Sequence, residues 1–195
     1  MDMVYVKALI DPQVDFVSGV FGTEEAQAIA GRWAGFLTAP PDGAKSHLFF
    51  VTRDSHPAPY GANPESRLFA APHCVEGTEG CGFVKPVADA LRAQERNPAY
   101  RVCEKNGFVC LDLPDAIAAA ASDCSLAFGA GGEGLDIAIC GVVTDICVLT
   151  NAVFLQARFP WAKISVDASG CAGTTPDNHA NALRIIRGLG IGVAD

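Results

Sequence analysis

Basic residues are scarce in this chain: 14 Lys and Arg stand against 22 Asp and Glu, for a net charge of −8. Nucleic acids and anionic membrane surfaces are held by basic faces, so neither is expected as a partner. Long apolar runs are missing too. None approaches the ~18 residues of a membrane span. The opening stretch MDMVYVKALID has no basic segment leading into a long apolar one, so no export signal is expected and the cytoplasm is the expected location. CxxC is absent, although the chain has 8 cysteines. In a reducing compartment these are expected as free thiols that pack as small hydrophobes. Internal repeats, low-complexity tracts and linkers are also absent, which leaves one domain over residues 1–195.

Apolar residues, by contrast, make up 50% of the sequence, and the chain has 195 residues. A chain of that length buries roughly 70% of the surface its unfolded form exposes and needs no staple. Short apolar runs rich in β-branched residues predict strands at 4–10, 46–52, 100–105, 135–143 and 163–168, with a short sixth in IGVAD at the end. Helical periodicity predicts helices over 24–37, 84–94, 113–123, 145–159 and 175–190. The alternation of strand and helix, with strands apolar throughout, predicts a parallel sheet covered by helices on both faces. Between the second strand and the second helix lies a long Pro- and Gly-rich stretch, residues 53–82. Structureless stretches of that length in compact domains are usually functional.

Open parallel sheets place their ligands at the carboxyl ends of the strands. The ionisable residues just past each strand are therefore the candidates. Asp11 comes after the first, Asp54 and His56 after the second, Lys105 after the third, and Thr144-Asp145 with Cys147 after the fourth. An isolated cysteine in an apolar helix is ordinarily a packing residue. Cys147 differs in its company. In the first turn of a helix its thiolate is stabilised by unpaired N–H groups and the positive dipole end, and Lys105 would lower the thiol pKa further. Asp11 can take the thiol proton and pass it to a leaving group, and first-turn N–H groups can hold an oxyanion.

Asp54 and His56, two apart on leaving a strand, can point to one side. With His73 at the far end of the long loop they form a set suited to zinc, iron or manganese. Glu65 is a candidate fourth ligand, or a group that holds a bound water. Cys74 adjoins His73, but neighbouring residues seldom ligate one metal. Gln13, Asp15 and Phe16 lie just past Asp11 and are candidates for the pocket wall, and Phe21 for an aromatic face. His47 and His179 carry no such pattern.

Five blocks in order, IDPQVDF at Asp11, TRDSHP at Asp54, PHCVEGTEG at His73, EK at Lys105 and GVVTDICV at Cys147, resemble the nicotinamidase/isochorismatase-like cysteine hydrolases. The resemblance covers about residues 4–193. It implies a Rossmann-like three-layer α/β/α fold with a six-stranded, mainly parallel sheet. It implies a Cys147–Asp11–Lys105 triad and a cis peptide between Val142 and Val143 that turns N–H groups toward the substrate oxygen. It implies one divalent metal on Asp54, His56 and His73, zinc first, and a homo-oligomer. The implied reaction is hydrolysis of a small amide, nicotinamide foremost, through a Cys147 thioester. Other carbamoyl or ureido amides are the alternative. Isochorismatase-type vinyl ether hydrolysis is disfavoured by Cys147 and His73. A non-hydrolytic thiol or metal-binding protein is disfavoured by the missing CxxC and by the placement of Asp11 and Lys105. One departure concerns the substrate. Many nicotinamidases have Trp-Pro before the His-Cys, where this chain has Ala70-Ala71-Pro72, so Phe21, Phe69 or Tyr60 would have to supply the missing aromatic wall.

Overall fold

A computed structural model describes residues 3–38 and 47–194. Six strands form one sheet, each paired in parallel with its neighbours: β1 Val4–Ile10, β2 His47–Asp54, β3 Tyr100–Lys105, β4 Leu135–Val142, β5 Lys163–Ala172 and β6 Gly192–Ala194. Their order is β3-β2-β1-β4-β5-β6. The chain starts in the middle, moves outward on one side, and returns to the other. Neighbouring strands β1 and β4 therefore send their loops in opposite directions, and the crevice between those loops is where such sheets bind ligands. Asp11 leaves β1 and Cys147 lies past β4, so both fall at this crevice.

The strands are apolar because both faces are covered. Leu9, Ile10, Leu48, Phe50, Ile137 and Ile139 are fully buried. The helices are α1 Val14–Val17, α2 Glu24–Ile29, α3 Trp33–Thr38, α4 Lys85–Ala93, α5 Leu113–Asp123, α6 Leu149–Arg158 and α7 Pro176–Gly188. Helix α3 packs on β1 and α4, whereas α6 packs on β5 and α7. Trp33 is fully buried and donates its indole N–H to Gly170 O at 2.9 Å, which ties α3 to the end of β5. Two helix starts are capped as their sequences dictate: Thr23 and Thr175 accept from Ala26 N and Asn178 N, both at 3.1 Å, with Pro176 in the first turn of α7.

Several boundaries differ from the sequence reading. The single helix expected over 24–37 is two, α2 and α3, joined by a 3₁₀ turn at Ala30–Arg32 that contains Gly31, a poor helix former. Ser46, expected to open the second strand, lies outside the described residues. That strand runs on to Asp54, so this carboxylate ends β2 rather than standing beyond it. Asp195, expected in the last strand, also lies outside the described residues. The long stretch 53–82 is not featureless. It holds two 3₁₀ turns, Tyr60–Ala62 and Pro64–Arg67, and a bridge of His56 to Val75. The helix expected from Asp145 opens with a π-helical turn, Thr144–Val148, before α6 begins.

Candidate active site

The base of the site is a row of buried charges. Lys105 Nζ stands 2.7 Å from Asp11 Oδ2 and 3.3 Å from Asp54 Oδ1, and donates to Cys147 Sγ at 3.8 Å. Their side chains are all but sealed from solvent. Thr52 fixes Asp11 twice: its hydroxyl donates to Oδ1 at 2.6 Å and accepts from the Asp11 backbone N–H at 3.0 Å. Asp11 has φ of 47°, the left-handed region that disfavours a side chain, as expected where a chain turns sharply to aim a functional group.

The charge states differ from the sequence reading at one point. A lowered pKa is expected for Cys147 from its helix start and from Lys105. Burial instead pushes its thiol well above the ordinary value; Lys105 opposes this and Asp11 adds to it. Burial thus outweighs the lysine and the helix start at Cys147. Burial also raises the Asp11 carboxyl above the usual range, against the pull of Lys105, which suits a group that must receive a proton. Burial alone would lower the Lys105 pKa, but Asp11, Cys147 and Asp54 outweigh it and hold the ammonium charged.

On the other side of Asp54 lies the ligand set expected from spacing. Asp54, His56, Glu65 and His73 each offer an atom within 4.8 Å of the others. His56 Nε2 is 2.8 Å from Asp54 Oδ2 and 3.3 Å from Glu65 Oε2, and His73 Nε2 is 3.6 Å from Asp54 Oδ2. His73 donates from Nδ1 to Ala71 O at 3.1 Å, which turns the Nε2 lone pair inward. His56 Nδ1 is hydrogen-bonded by the Asn63 amide. Glu65 Oε2 is buried without a hydrogen bond. Two imidazole nitrogens and two carboxylates converging on one point, Glu65 Oε2 among them without a hydrogen bond, fit a divalent cation.

Above the charges opens a cavity of about 250 Å³. Phe16, Phe21, Phe69 and Phe108 line it, together with Glu65, His73, Val143 and Cys147. The Phe21 and His73 rings are 4.8 Å apart, edge to face. Of the three aromatic residues offered in place of the missing Trp, Phe21 and Phe69 line the cavity. Tyr60 does not; it is buried beneath, against the His56 and His73 rings. The Val142–Val143 peptide is cis.

Gln13 requires a correction. Its place after Asp11 suggests the pocket wall, but it is fully buried behind the site. Its amide donates to Asp54 O at 2.7 Å and Cys81 O at 2.9 Å and accepts from Asp54 N at 2.7 Å. It clamps the main chain of Asp54 and has no group left for a substrate. Asp15 likewise accepts from Cys74 N at 2.8 Å and braces the loop that carries His73. The sequence reading misses Phe108, Thr52, Asn63 and Thr174. Phe108 is within reach of the strand-end rule, three residues past Lys105; Thr52 acts through Asp11, distant in sequence, Asn63 braces His56 within the long loop, and Thr174 lines the cavity. His179, which carries no pattern in the sequence, meets the Thr144 hydroxyl at 2.8 Å and steadies the turn before Cys147.

Residues 8–195 match the isochorismatase domain. The chain belongs to the isochorismatase family. Among curated relatives, an uncharacterised isochorismatase family protein, PncA, of Bacillus subtilis (strain 168) is 32% identical over 130 residues, 67% of this chain and 64% of that protein's length. A nicotinamidase of Schizosaccharomyces pombe (strain 972) is 28% identical over an alignment of 204 positions, covering 92% of this chain and 87% of that protein. A solved pyrazinamidase/nicotinamidase from Streptococcus mutans superposes with a TM-score of 0.79 at 25% identity, over 97% of this chain and 99% of the other. A pyrazinamidase of Pyrococcus horikoshii, solved in complex with zinc, superposes with a TM-score of 0.72 at 20% identity and 98% of each chain.

Proposed function

We propose that this isochorismatase-family chain is a metal-assisted cysteine amidohydrolase that converts nicotinamide to nicotinate and ammonia. The observation that carries the reading is Lys105 Nζ set between Asp11, at 2.7 Å, and the Cys147 thiol, at 3.8 Å, beneath an aromatic cavity and beside four side chains suited to a metal.

The chemistry is a consequence of the placement. The flat walls of Phe16, Phe21, Phe69 and Phe108 accept a planar ring and exclude water from the carboxamide. Asp11 takes the thiol proton as Cys147 Sγ attacks the carbonyl carbon. Main-chain N–H groups at Val142–Val143 and in the nucleophile turn are assigned the carbonyl oxygen as it gains charge. Asp11 then delivers its proton to the leaving nitrogen, so ammonia departs and a thioester remains. A water, deprotonated by Asp11, attacks that thioester, releases the acid and restores the thiol. Lys105 stays charged throughout and keeps Asp11 oriented. A divalent cation on Asp54, His56, Glu65 and His73, zinc before iron or manganese, would supply a Lewis-acidic seat for the ring nitrogen.

Among the described residues, the cavity wall includes no Lys or Arg, which argues against anionic ureido substrates and against isochorismate, whose carboxylates would lie unpaired. All eight cysteines are free thiols, in keeping with the expected cytoplasmic location. No helix among the described residues is long and apolar enough to cross a membrane. The homo-oligomer implied by the family resemblance is kept as part of this proposal.

The test is ammonia release from nicotinamide by metal-replete protein, with Cys147→Ala as control. The variant should lose turnover by about a thousand-fold or more with its fold and bound metal unchanged. Chelation should raise KM for nicotinamide. Turnover that survives in Cys147→Ala rules out the thioester route, and a KM indifferent to chelation removes the metal from substrate binding.

A further inference from the structure

Lys105 and Cys147 meet although their strands do not. Strands β2 and β1 lie between β3 and β4. At about 4.8 Å per strand spacing, the two backbones stand roughly 14 Å apart across the sheet. The segment that leaves β3 must therefore reach over the sheet edge to the helix that leaves β4. One side chain receives it there.

Asn151 lies in the first turn of α6 and is fully buried. Its Oδ1 accepts from Cys110 N at 2.9 Å. Its Nδ2 donates to Phe108 O at 2.9 Å and, one turn back in the preceding π-helical turn, to Cys147 O at 2.8 Å. One amide thus grips both sides of the site. Two bonds hold the loop that presents the Phe108 ring to the cavity. The third holds the carbonyl of the nucleophile itself. The Thr150 hydroxyl donates its one proton to Ile146 O at 2.8 Å, with Phe108 O at 3.2 Å and Cys147 O at 3.3 Å as longer alternatives. Cys147 sits in a π-helical turn. The hydrogen-bond geometry of such a turn is less regular than that of an α-helix, so a side-chain anchor adds definition there.

We infer that Asn151 is a positioning residue that couples the aromatic wall at Phe108 to the Cys147 turn, so that ring placement and thiol placement are set by one amide. The inference deepens the amidohydrolase reading and rests on it for its kinetic test. It divides into two separable halves. The Phe108 and Cys110 bonds act on substrate binding. The Cys147 bond acts on the chemical step.

Two substitutions separate them. Asn151→Asp keeps an acceptor for Cys110 N but places a second oxygen against two carbonyls, so both donated bonds go. Asn151→Thr keeps a hydroxyl that can donate to the carbonyl four residues back, as Thr150 does to Ile146 O, but is too short to hold the loop. Steady-state kinetics on nicotinamide are read together with the rate at which iodoacetamide alkylates Cys147, tracked by mass spectrometry of that peptide. For Asn151→Asp, which loses the Phe108 bond and the Cys147 bond together, the expectation is a fall in kcat of about ten-fold or more with a raised KM and an altered alkylation rate. For Asn151→Thr it is a KM raised about five-fold, with kcat within about two-fold of wild type.

A merely structural role would lower the melting temperature and leave kcat, KM and alkylation per folded molecule unchanged; that result overturns the inference. So does a loss confined to kcat in Asn151→Thr. Should Asn151→Asp not fold, Asn151→Thr decides alone. Should the wild type release no ammonia, the substrate reading fails separately, and Cys147 alkylation unchanged in Asn151→Asp still overturns the role of Asn151.

Discussion

Lys105 is the residue on which the site balances. Two carboxylates, Asp11 and Asp54, share its one ammonium, and all three side chains are within 2% of complete burial. A cation lost from such a cluster leaves buried charge uncompensated, which costs about 3–5 kcal/mol. Lys105→Met should therefore destabilise the fold as well as abolish turnover, a result that urea denaturation would show. The pH dependence has a definite sign. Because the folded Lys105 pKa lies above its unfolded value near 10.4, its contribution is complete below that value and fades only as pH rises through the folded one. The penalty should accordingly be the same at pH 6 as at pH 8. A penalty that vanishes at pH 6 would mean the carboxylates, not the lysine, carry the titration.

At this scale much is legible in the sequence. Asp11, Asp54, His56, Lys105 and Cys147 all stand out as polar residues at strand ends, and the structure brings all of them together. The strand-end rule works because topology fixes which end of a parallel sheet faces the ligand. It fails for Gln13, whose polar side chain beside Asp11 looks like a ligand contact until its partners, the main chain of Asp54 and Cys81, are in place. It also misjudges the thiol. The sequence shows the lysine and the helix start but not the depth of burial, and burial is the larger effect.

Among the elements, β4 and the turn after it are the most constrained. Gly141 has φ of +124°, and a Cβ there would lie 2.1 Å from Ile10 O, backbone against backbone. The glycine sits where β1 and β4 deliver Asp11 and the nucleophile turn, at Ile10↔Gly141 in the register. Gly141→Ala should cost about 2 kcal/mol or more, since neither the φ nor the contact can be relieved by a rotamer. It should lower turnover too by parting the two strands. A variant with the wild-type melting temperature would mean that the strands separate freely there. The strands themselves are easily read because β-branched runs and burial on both faces leave a strong pattern. The helix boundaries are harder to read. The break at Ala30–Arg32 and the π-helical opening at Thr144–Val148 are local responses to packing, and neither leaves a period in the sequence.

As a whole, the molecule places its chemistry by connectivity. The chain begins in the middle of the sheet, so the crevice between β1 and β4 is fixed before any side chain is chosen. The candidate metal ligands come from β2 and the long loop beyond it, Asp11 from the end of β1, Lys105 from the end of β3 and Cys147 from the turn after β4. Long range is the rule in this site, which explains why no single motif announces it and why five short blocks in order do.

The order of the strands has one more outcome. Strand β3, which ends in Lys105, is at the margin of the sheet, bonded to β2 on one side only. Margins open first when a protein breathes, since fewer hydrogen bonds must part. The lysine thus rides on an edge strand, where local opening costs less than in the interior, while Asp11 and Cys147 follow interior strands. In rising urea, activity should decay before far-ultraviolet circular dichroism changes, and the β3 amides should exchange with deuterium ahead of those in β1 and β4. Coincident loss of activity and secondary structure would show instead that the margin is held as firmly as the centre. On this layout the enzyme fails by fraying before it fails by melting.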